Sequence, residues 1–445
     1  MSLPRYPSYR PSGASWLRAV PAHWSVERLR RVATINPPKS EARALQMETL
    51  VTFLPMEAIG EDGTLDRSRE APVGDLIDGY TYFADGDVAF AKITPCFENG
   101  KGAFMSGLRN GVGFGTTELI VVRASDRVVP SYLHSVFSSA PFRGEGESRM
   151  YGAGGQKRVP EDFMRDVVVP MPPLEEQRGI LSFLDSETAK VDALIAAQER
   201  LIALLQEKRQ AVISHAVTKG LDPSVPMKDS GVEWIGEVPA HWSVSTIKRL
   251  GSIQYGLGEP PPYREVGYPL VRATDVDAGR LMIESAVRVD VADIPASRIV
   301  WLEPGDIIVV RSGAGTGDSG QFIGASRSAI AGFDMVLRPT RVDAGLLQWL
   351  LLSVCVLNAQ IHPLRIRAAQ PHLNAEELGR CIVPVPPIPE QVAIRAFLDK
   401  IVARLDLVAA EALAAVSLLR ERRSALITAA VTGQIDVRGL VEPAA

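Results

Sequence analysis

The sequence predicts an α+β protein in which two globular lobes of mixed α/β structure with twisted sheets are separated by two long antiparallel helices. The helices form a coiled coil, and the whole is a pseudo-two-fold repeat. Two internal repeats predict this. Pro173 to Asp222 returns as Pro387 to Asp436 at one offset (391 − 177 = 214), and residues 11–26 return as 229–244 at an offset of 218 (234 − 16). The third observation is that the segments between these repeats share order but few letters. The implied divisions are 1–172 for the first lobe, 173–222 for the first helix, 223–386 for the second lobe, 387–436 for the second helix and 437–445 for a tail.

The opening repeat pairs Trp16 with Trp234, Pro21 with Pro239, His23 with His241 and Trp24 with Trp242. Large aromatics are mostly core, so an aromatic clasp that fixes how each half begins is favoured over rings that stack on bases. His23 and His241 have no neighbouring nucleophile or carboxylate in sequence, which leaves orienting hydrogen bonds as their role.

Each lobe carries short β-type runs broken by Gly and Pro. LVTFLPMEAI, DVAFAKITP and TTELIVVR read as strands in the first lobe; YPLVRATDV, DIIVVRSG and FDMVLRP read as strands in the second. Gly86-Asp87 aligns with Gly305-Asp306, each pair opening an apolar strand.

The long repeats begin at prolines, which hold the chain extended and favour a helix start just beyond. In the first copy Ile180, Leu184, Val191, Leu194, Leu201, Leu205 and Val212 mark a heptad seam, with Glu187, Gln198 and Lys208 filling its other positions. In the second copy the seam runs through Ile394, Leu398, Ile401, Leu405, Val408, Ala412, Ala415, Leu419 and Leu426. Gly220 and Gly433 stand where a C-terminal stop belongs. The outer faces are polar, with Glu199, Gln206 and Lys208 on one helix and Arg395, Arg404 and Arg420 on the other.

Composition bounds the class. The chain has 445 residues, 46% of them apolar and 22% charged, as expected of an ordinary soluble globular protein of two or three domains. It has no run of eighteen apolar residues and no apolar signal core near its start, so a cytoplasmic protein without a membrane partner is expected. Cys96, Cys355 and Cys381 are scattered and read as buried small hydrophobes; no metal or disulfide framework is suggested. The net charge of −4 is not the footprint of a protein that coats nucleic acid, so any DNA contact must come from small basic patches. Candidates are Arg28, Arg30 and Arg31; Lys92 and Lys101; Lys157 and Arg158; and Arg311, Arg365 and Arg367.

At the level of whole segments the chain resembles the specificity (S) subunits of type I restriction-modification enzymes. The resemblance is carried by GVEWIGEVPAHWSV, PPLEEQRGILSFLD, PIPEQVAIRAFLD, FADGDVAFAKITPCFENGKGA and the helix ends SHAVTKGLD and TAAVTGQID. It implies that the lobes are target recognition domains, each reading one half of a bipartite double-stranded DNA sequence. The helices would set the unread spacer and dock two methyltransferase (M) subunits, which restriction (R) subunits join. It also implies a subunit without cofactor of its own, S-adenosylmethionine being held by the M subunits and ATP and Mg by the R subunits.

Two rivals are a single-chain DNA methyltransferase or nuclease and a coiled-coil scaffold with no DNA role. For the first, Asn36-Pro37-Pro38 begins an amino-methyltransferase motif, but Lys39 replaces the aromatic that stacks on the flipped base. The Gly313 to Gly317 run has no good helix after it, and Phe90 stands where a nuclease acid would precede Lys92. For the second, the unlike interiors have no explanation.

Within the recognition domains, the loop from Lys92 through Thr94 and Asn99 to Lys101 mixes cations, hydroxyl and amide beside glycine, a composition suited to base and phosphate contact. In the second domain Arg272, Thr274, Asp275, Arg311, Ser312 and Thr316 are the analogous candidates. Gln156 and Gln370, at matched positions before the helices, suit either a structural hydrogen bond or a backbone contact.

Overall fold

The computed structural model describes residues 3–153, 155–365 and 371–440. The chain divides into two compact units, residues 1–198 with 414–445 and residues 199–413. Each unit therefore contains the start of one long helix and the end of the other.

The long helices run over Leu174–Lys219 and Ile388–Val431, 46 and 44 residues, or about 69 and 66 Å at 1.5 Å per residue. Their last turns are followed by Gly220 and Gly433 with φ of 78° and 75°, the left-handed cap the sequence predicts. In the first unit the helix ends run antiparallel. The Tyr132 hydroxyl lies 3.2 Å from the Pro170 carbonyl oxygen, just before the first helix, and 3.3 Å from that of Val431, at the end of the second. Further along, Arg423 donates to Asp192 at 2.9 Å. In the second unit Arg209 donates to Asp406 at 3.1 Å. Asp192 and Asp406 are matched in the repeat, as are Arg209 and Arg423, so each unit makes the same contact with the copies exchanged.

The first helix does not use the whole seam expected of it. Ile180, Leu184 and Val191 are buried, but Leu194 and Leu201 are exposed, as is Lys208. Gln198 and Leu205 keep their expected half-buried places, and Ile195, Ile202 and Arg209 take the inward positions instead of the others. Both Leu194/Leu201 and Ile195/Ile202 satisfy a seven-residue period; the partner's face selects the second pair, and periodicity alone cannot. The second helix keeps its seam, with Ile394, Leu398, Leu405, Ala412 and Leu426 buried.

In the first unit one sheet has strand order 70–72, 50–54, 112–115, 81–84, and a second has order 33–35, 119–124, 88–91, 102–104. Leu50–Leu54 pairs in parallel with Val112–Gly115; the other pairings are antiparallel. In the second unit a six-stranded sheet has order 251–255, 335–339, 307–309, 319–321, 279–281, 276–277. All six sequence-predicted strands exist, shortened where a proline or a turn interrupts the ladder: LVTFLPMEAI contributes Leu50–Leu54, ending at Pro55.

Two devices recur in both units. Ser25–Arg28 pairs with Val168–Met171, and Ser243–Thr246 pairs with Ile382–Val385, so each clasp is stitched to the strand that leads into its own long helix. The aligned Gly-Asp pairs turn with φ of 92° at Gly86 and 91° at Gly305 and deliver buried Asp87 and Asp306. Arg123 closes on Asp87 with two bonds of 2.7 and 2.8 Å, and Arg338 closes on Asp306 with two of 2.8 and 2.7 Å.

Cys355 and Cys381 are buried as expected, but Cys96 is half-exposed on its loop. Burial raises both buried thiols; at Cys381 burial and then the Glu377 carboxylate push it up to about 12. A disulfide reagent such as Ellman's should therefore label Cys96 quickly and the other two only after unfolding, because thiolate is the reacting form. Fast reaction of all three would contradict this packing.

Candidate nucleic-acid interface

The clasps are built around the glutamate at the start of each long helix. Glu176 receives the Trp24 indole N–H at 3.0 Å and lies 2.8 Å from His23 Nε2. Glu390 receives the Trp242 indole N–H at 2.9 Å and lies 2.6 Å from His241 Nε2. The histidines thus orient the helix start. Trp24 and Trp242 are each 1% exposed, so neither ring can stack on a base. Burial and then the Glu176 carboxylate hold the Tyr6 hydroxyl protonated. The next residues, Gln177 and Gln391, accept the N–H of Val129 and of Asp343, each at 2.7 Å.

Each clasp also closes on the other helix. A Cβ added at Gly433 would lie 2.3 Å from Pro21 and 3.2 Å from the Trp24 ring; one at Gly220 would lie 3.3 Å from the Trp242 ring. One member departs from the expected clasp. Trp16 packs edge-on to Phe142 at 5.9 Å, but Trp234 is 46% exposed and no ring lies against it among the described residues.

The candidate loop of the first unit is joined to a second segment. Thr94 Oγ1 donates to Gly155 O at 2.9 Å and accepts from Lys157 N at 3.0 Å, so Lys92 to Lys101 and Gly155 to Arg158 form one surface. Several candidates there are held by protein. Asn99 donates to Glu61 at 2.9 Å, Lys101 to Met56 O at 3.1 Å, and Arg158 to both oxygens of Glu118 at 2.9 and 2.8 Å. Arg158 in turn holds the Glu118 carboxyl below its ordinary range. Gln156 and Lys157 are exposed, Lys92 is half-buried, and Tyr151, bridged to Arg158, is 69% exposed. Tyr151 was not singled out from the sequence; a lone aromatic within YGAGG is the signal that could have found it.

The patch at Arg28, Arg30 and Arg31 is a solvated face, since Asp166 pairs with the first two and Glu27 with the third. Asn36 is structural: its amide donates to Glu161 at 2.7 Å and its oxygen accepts from Val121 N at 3.1 Å. Lys39 caps Tyr80 O at 3.1 Å and lies over the Phe114 ring. Among the described residues no three His, Cys, Asp or Glu side chains form a group that could hold a metal ion.

In the second unit Arg272, Thr274 and Ser312 line a cavity of about 240 Å³ together with Tyr263, Phe333 and Asp334, and Arg311 lies over the Phe333 ring at its edge. Arg272 lies over the Tyr263 ring at 5.7 Å and is held by buried Asp275 at 3.3 Å. Thr316 does not join them. It is fully buried, and its hydroxyl bonds Gly313 O at 2.8 Å, fixing the glycine-rich turn from within. Arg365 donates to Ala314 O on that turn. Arg367 and Gln370 lie outside the described residues. Tyr255, Tyr263 and Phe333 belong to this surface but were missed, because isolated aromatics at strand ends look like core in a sequence.

No family model matches the chain. It is 46% identical over 166 residues to the type I restriction enzyme EcoAI specificity subunit of Escherichia coli, covering 36% of this chain and 27% of that one. It is 39% identical over 206 residues to the EcoEI specificity subunit of the same species, covering 43% and 34%. The chain thus matches only about a quarter to a third of the length of these relatives. With the EcoKI specificity subunit of E. coli K12 it shares 22% identity over 339 residues, 72% of this chain and 69% of that one. Among solved structures, a chain from a study of assembly and conformational transition in a type I restriction-modification system matches with a TM-score of 0.72, at 17% identity over 93% of this chain and 98% of that one. The HsdS subunit of Thermoanaerobacter tengcongensis matches with a TM-score of 0.52, at 19% identity over 94% and 98%. Over the matched segments the sequence is similar to type I restriction enzyme specificity subunits, and the fold is that of the two solved chains.

Proposed function

We propose that the chain is the DNA specificity subunit of a type I restriction-modification complex and performs no chemistry itself. The observation that carries this is one scaffold used twice beneath unlike surfaces. The Glu176 and Glu390 clasps and the Asp87–Arg123 and Asp306–Arg338 struts are the same, while the loops that they support differ. Such a chain reads two different half-sites of one duplex, each through side chains aimed at base edges while backbone contacts set position. The long helices fix the unread spacer between the half-sites.

Two methyltransferase subunits dock on the helices and bring S-adenosylmethionine; restriction subunits join them with ATP and Mg, and the complex works in the cytoplasm. Support comes from Leu194, Leu201 and Leu204 on the first helix and Leu407 and Leu418 on the second, all exposed. Apolar rows left open on long helices suit packing by further helices.

The test is an exchange of residues 245–370 for the equivalent segment of a relative with another specificity. Methylome sequencing of a host expressing the hybrid with its methyltransferase should show one half of the recognition sequence changed and the other half and the spacer kept. Changes in both halves, or none, would refute the division of labour.

A further inference from the structure

We propose that Arg311 reads a guanine within the half-site of the second unit, an inference that rests on the DNA-recognition reading above. The argument begins with strand register. Val309 lies opposite Met335 in the antiparallel pair 307–309 and 335–339, so two residues beyond the ladder Arg311 comes opposite Phe333 on the same face. Tyr255 ends the neighbouring strand, where it too is paired with Met335. Three adjacent strand ends thus bring one guanidinium between two rings. Its central carbon lies 3.5 Å from the Phe333 ring centre and 5.0 Å from that of Tyr255.

Arg311 differs from the other well-held arginines in what it leaves open. Arg123, Arg158, Arg272 and Arg338 are each bonded to a carboxylate. Arg311 has no ion pair among the described residues, and its buried Nε has no hydrogen-bond partner. Its backbone is nonetheless pinned, the N–H donating to Asp334 at 3.1 Å and the carbonyl accepting from Leu373 N at 2.8 Å. The flat ion is therefore held in place by aromatic faces while its donors remain unused. Both rings are partly exposed, Tyr255 by 44% and Phe333 by 41%, so the stack lies at the surface, beside the 240 Å³ cavity.

A stacked guanidinium with free donors matches the O6 and N7 acceptors that guanine shows in the major groove, which no other base presents together. A phosphate contact would need no such flattening, since a mobile lysine or arginine suffices.

The experiment is methylome sequencing of a host carrying the full chain and its methyltransferase, with wild type compared to Arg311→Lys and Arg311→Ala. Both variants should accept other bases at one guanine position in the half-site assigned to residues 245–370, with discrimination there about tenfold to a hundredfold lower and every other position kept. Arg311→Lys retains charge and length, so it supplies the answer if the alanine variant does not accumulate. An unchanged motif would overturn the proposal, and so would uniformly weaker methylation with the motif intact, the signature of a phosphate contact. A relaxed position in the other half-site would overturn it too. A wild-type complex that leaves no bipartite motif would instead sink the recognition reading itself.

Discussion

Replacing Arg123 by methionine should destabilise the first unit by about 3–5 kcal/mol, the usual result of leaving a buried charge without its partner. Asp87 is 1% exposed and takes two of its hydrogen bonds from Arg123; its remaining bond, from Ala84 N, does not neutralise it. The matched change Arg338→Met strands Asp306, which likewise keeps only the N–H of Glu303, and the loss should be similar. For units of about two hundred residues this corresponds to roughly 2–4 °C in melting temperature per kcal/mol. Exchanging both members for apolar residues, as in Asp87→Leu with Arg123→Met, should recover much of the loss, because a well-packed apolar pair can replace a buried ion pair. A single Arg123→Met change costing under about 1 kcal/mol would show that water reaches Asp87 in the folded unit.

The other large effect is expected at the clasp. Trp24→Ala removes one of the largest fully buried side chains of the first unit, at about 3–5 kcal/mol for a core aromatic. It also withdraws a donor from Glu176, which remains buried. The damage should appear at both places the ring touches, the start of the first helix near Glu176 and the end of the second near Gly433. Hydrogen exchange should then accelerate at 174–180 and at 426–437, with 213–219 unaffected. Trp242→Ala should reverse the pattern, exposing 213–219 and 388–394. Equal acceleration at 213–219 and 426–437 in either variant would mean that the clasps are not local devices.

Much of the architecture was legible in the chain because repetition is visible without a fold. The offset of 214 placed both long helices, a glycine near each end marked their stops, and the alignment of Gly86-Asp87 with Gly305-Asp306 placed the start of a matching strand in each unit. Strand positions followed from apolar runs, since local composition and the two-residue period depend only on neighbours in sequence.

What tertiary structure decided are choices among locally equivalent options. Ile195 faces the partner helix and Leu194 faces away, although both fit a seven-residue period, because only the partner defines which side is inward. Thr316 and Ser312 both lie near the same glycine-rich turn, yet one is sealed beneath it, where its hydroxyl also reaches the carbonyl of Pro371, fifty-five residues on, and the other lines the cavity. The clasp is the plainest case. Trp24 was expected to belong to a clasp that fixes how its half begins; the fold joins it to Glu176 at the start of the first long helix and seats Gly433, more than four hundred residues away, against its ring. Arg311 was a candidate from its charge and loop, while its place between Phe333 and Tyr255 depends on the register of three strands far apart in sequence. Residue type and period are properties of the chain; the partner that gives a side chain its face, its burial or its free donors is supplied only when distant segments pack.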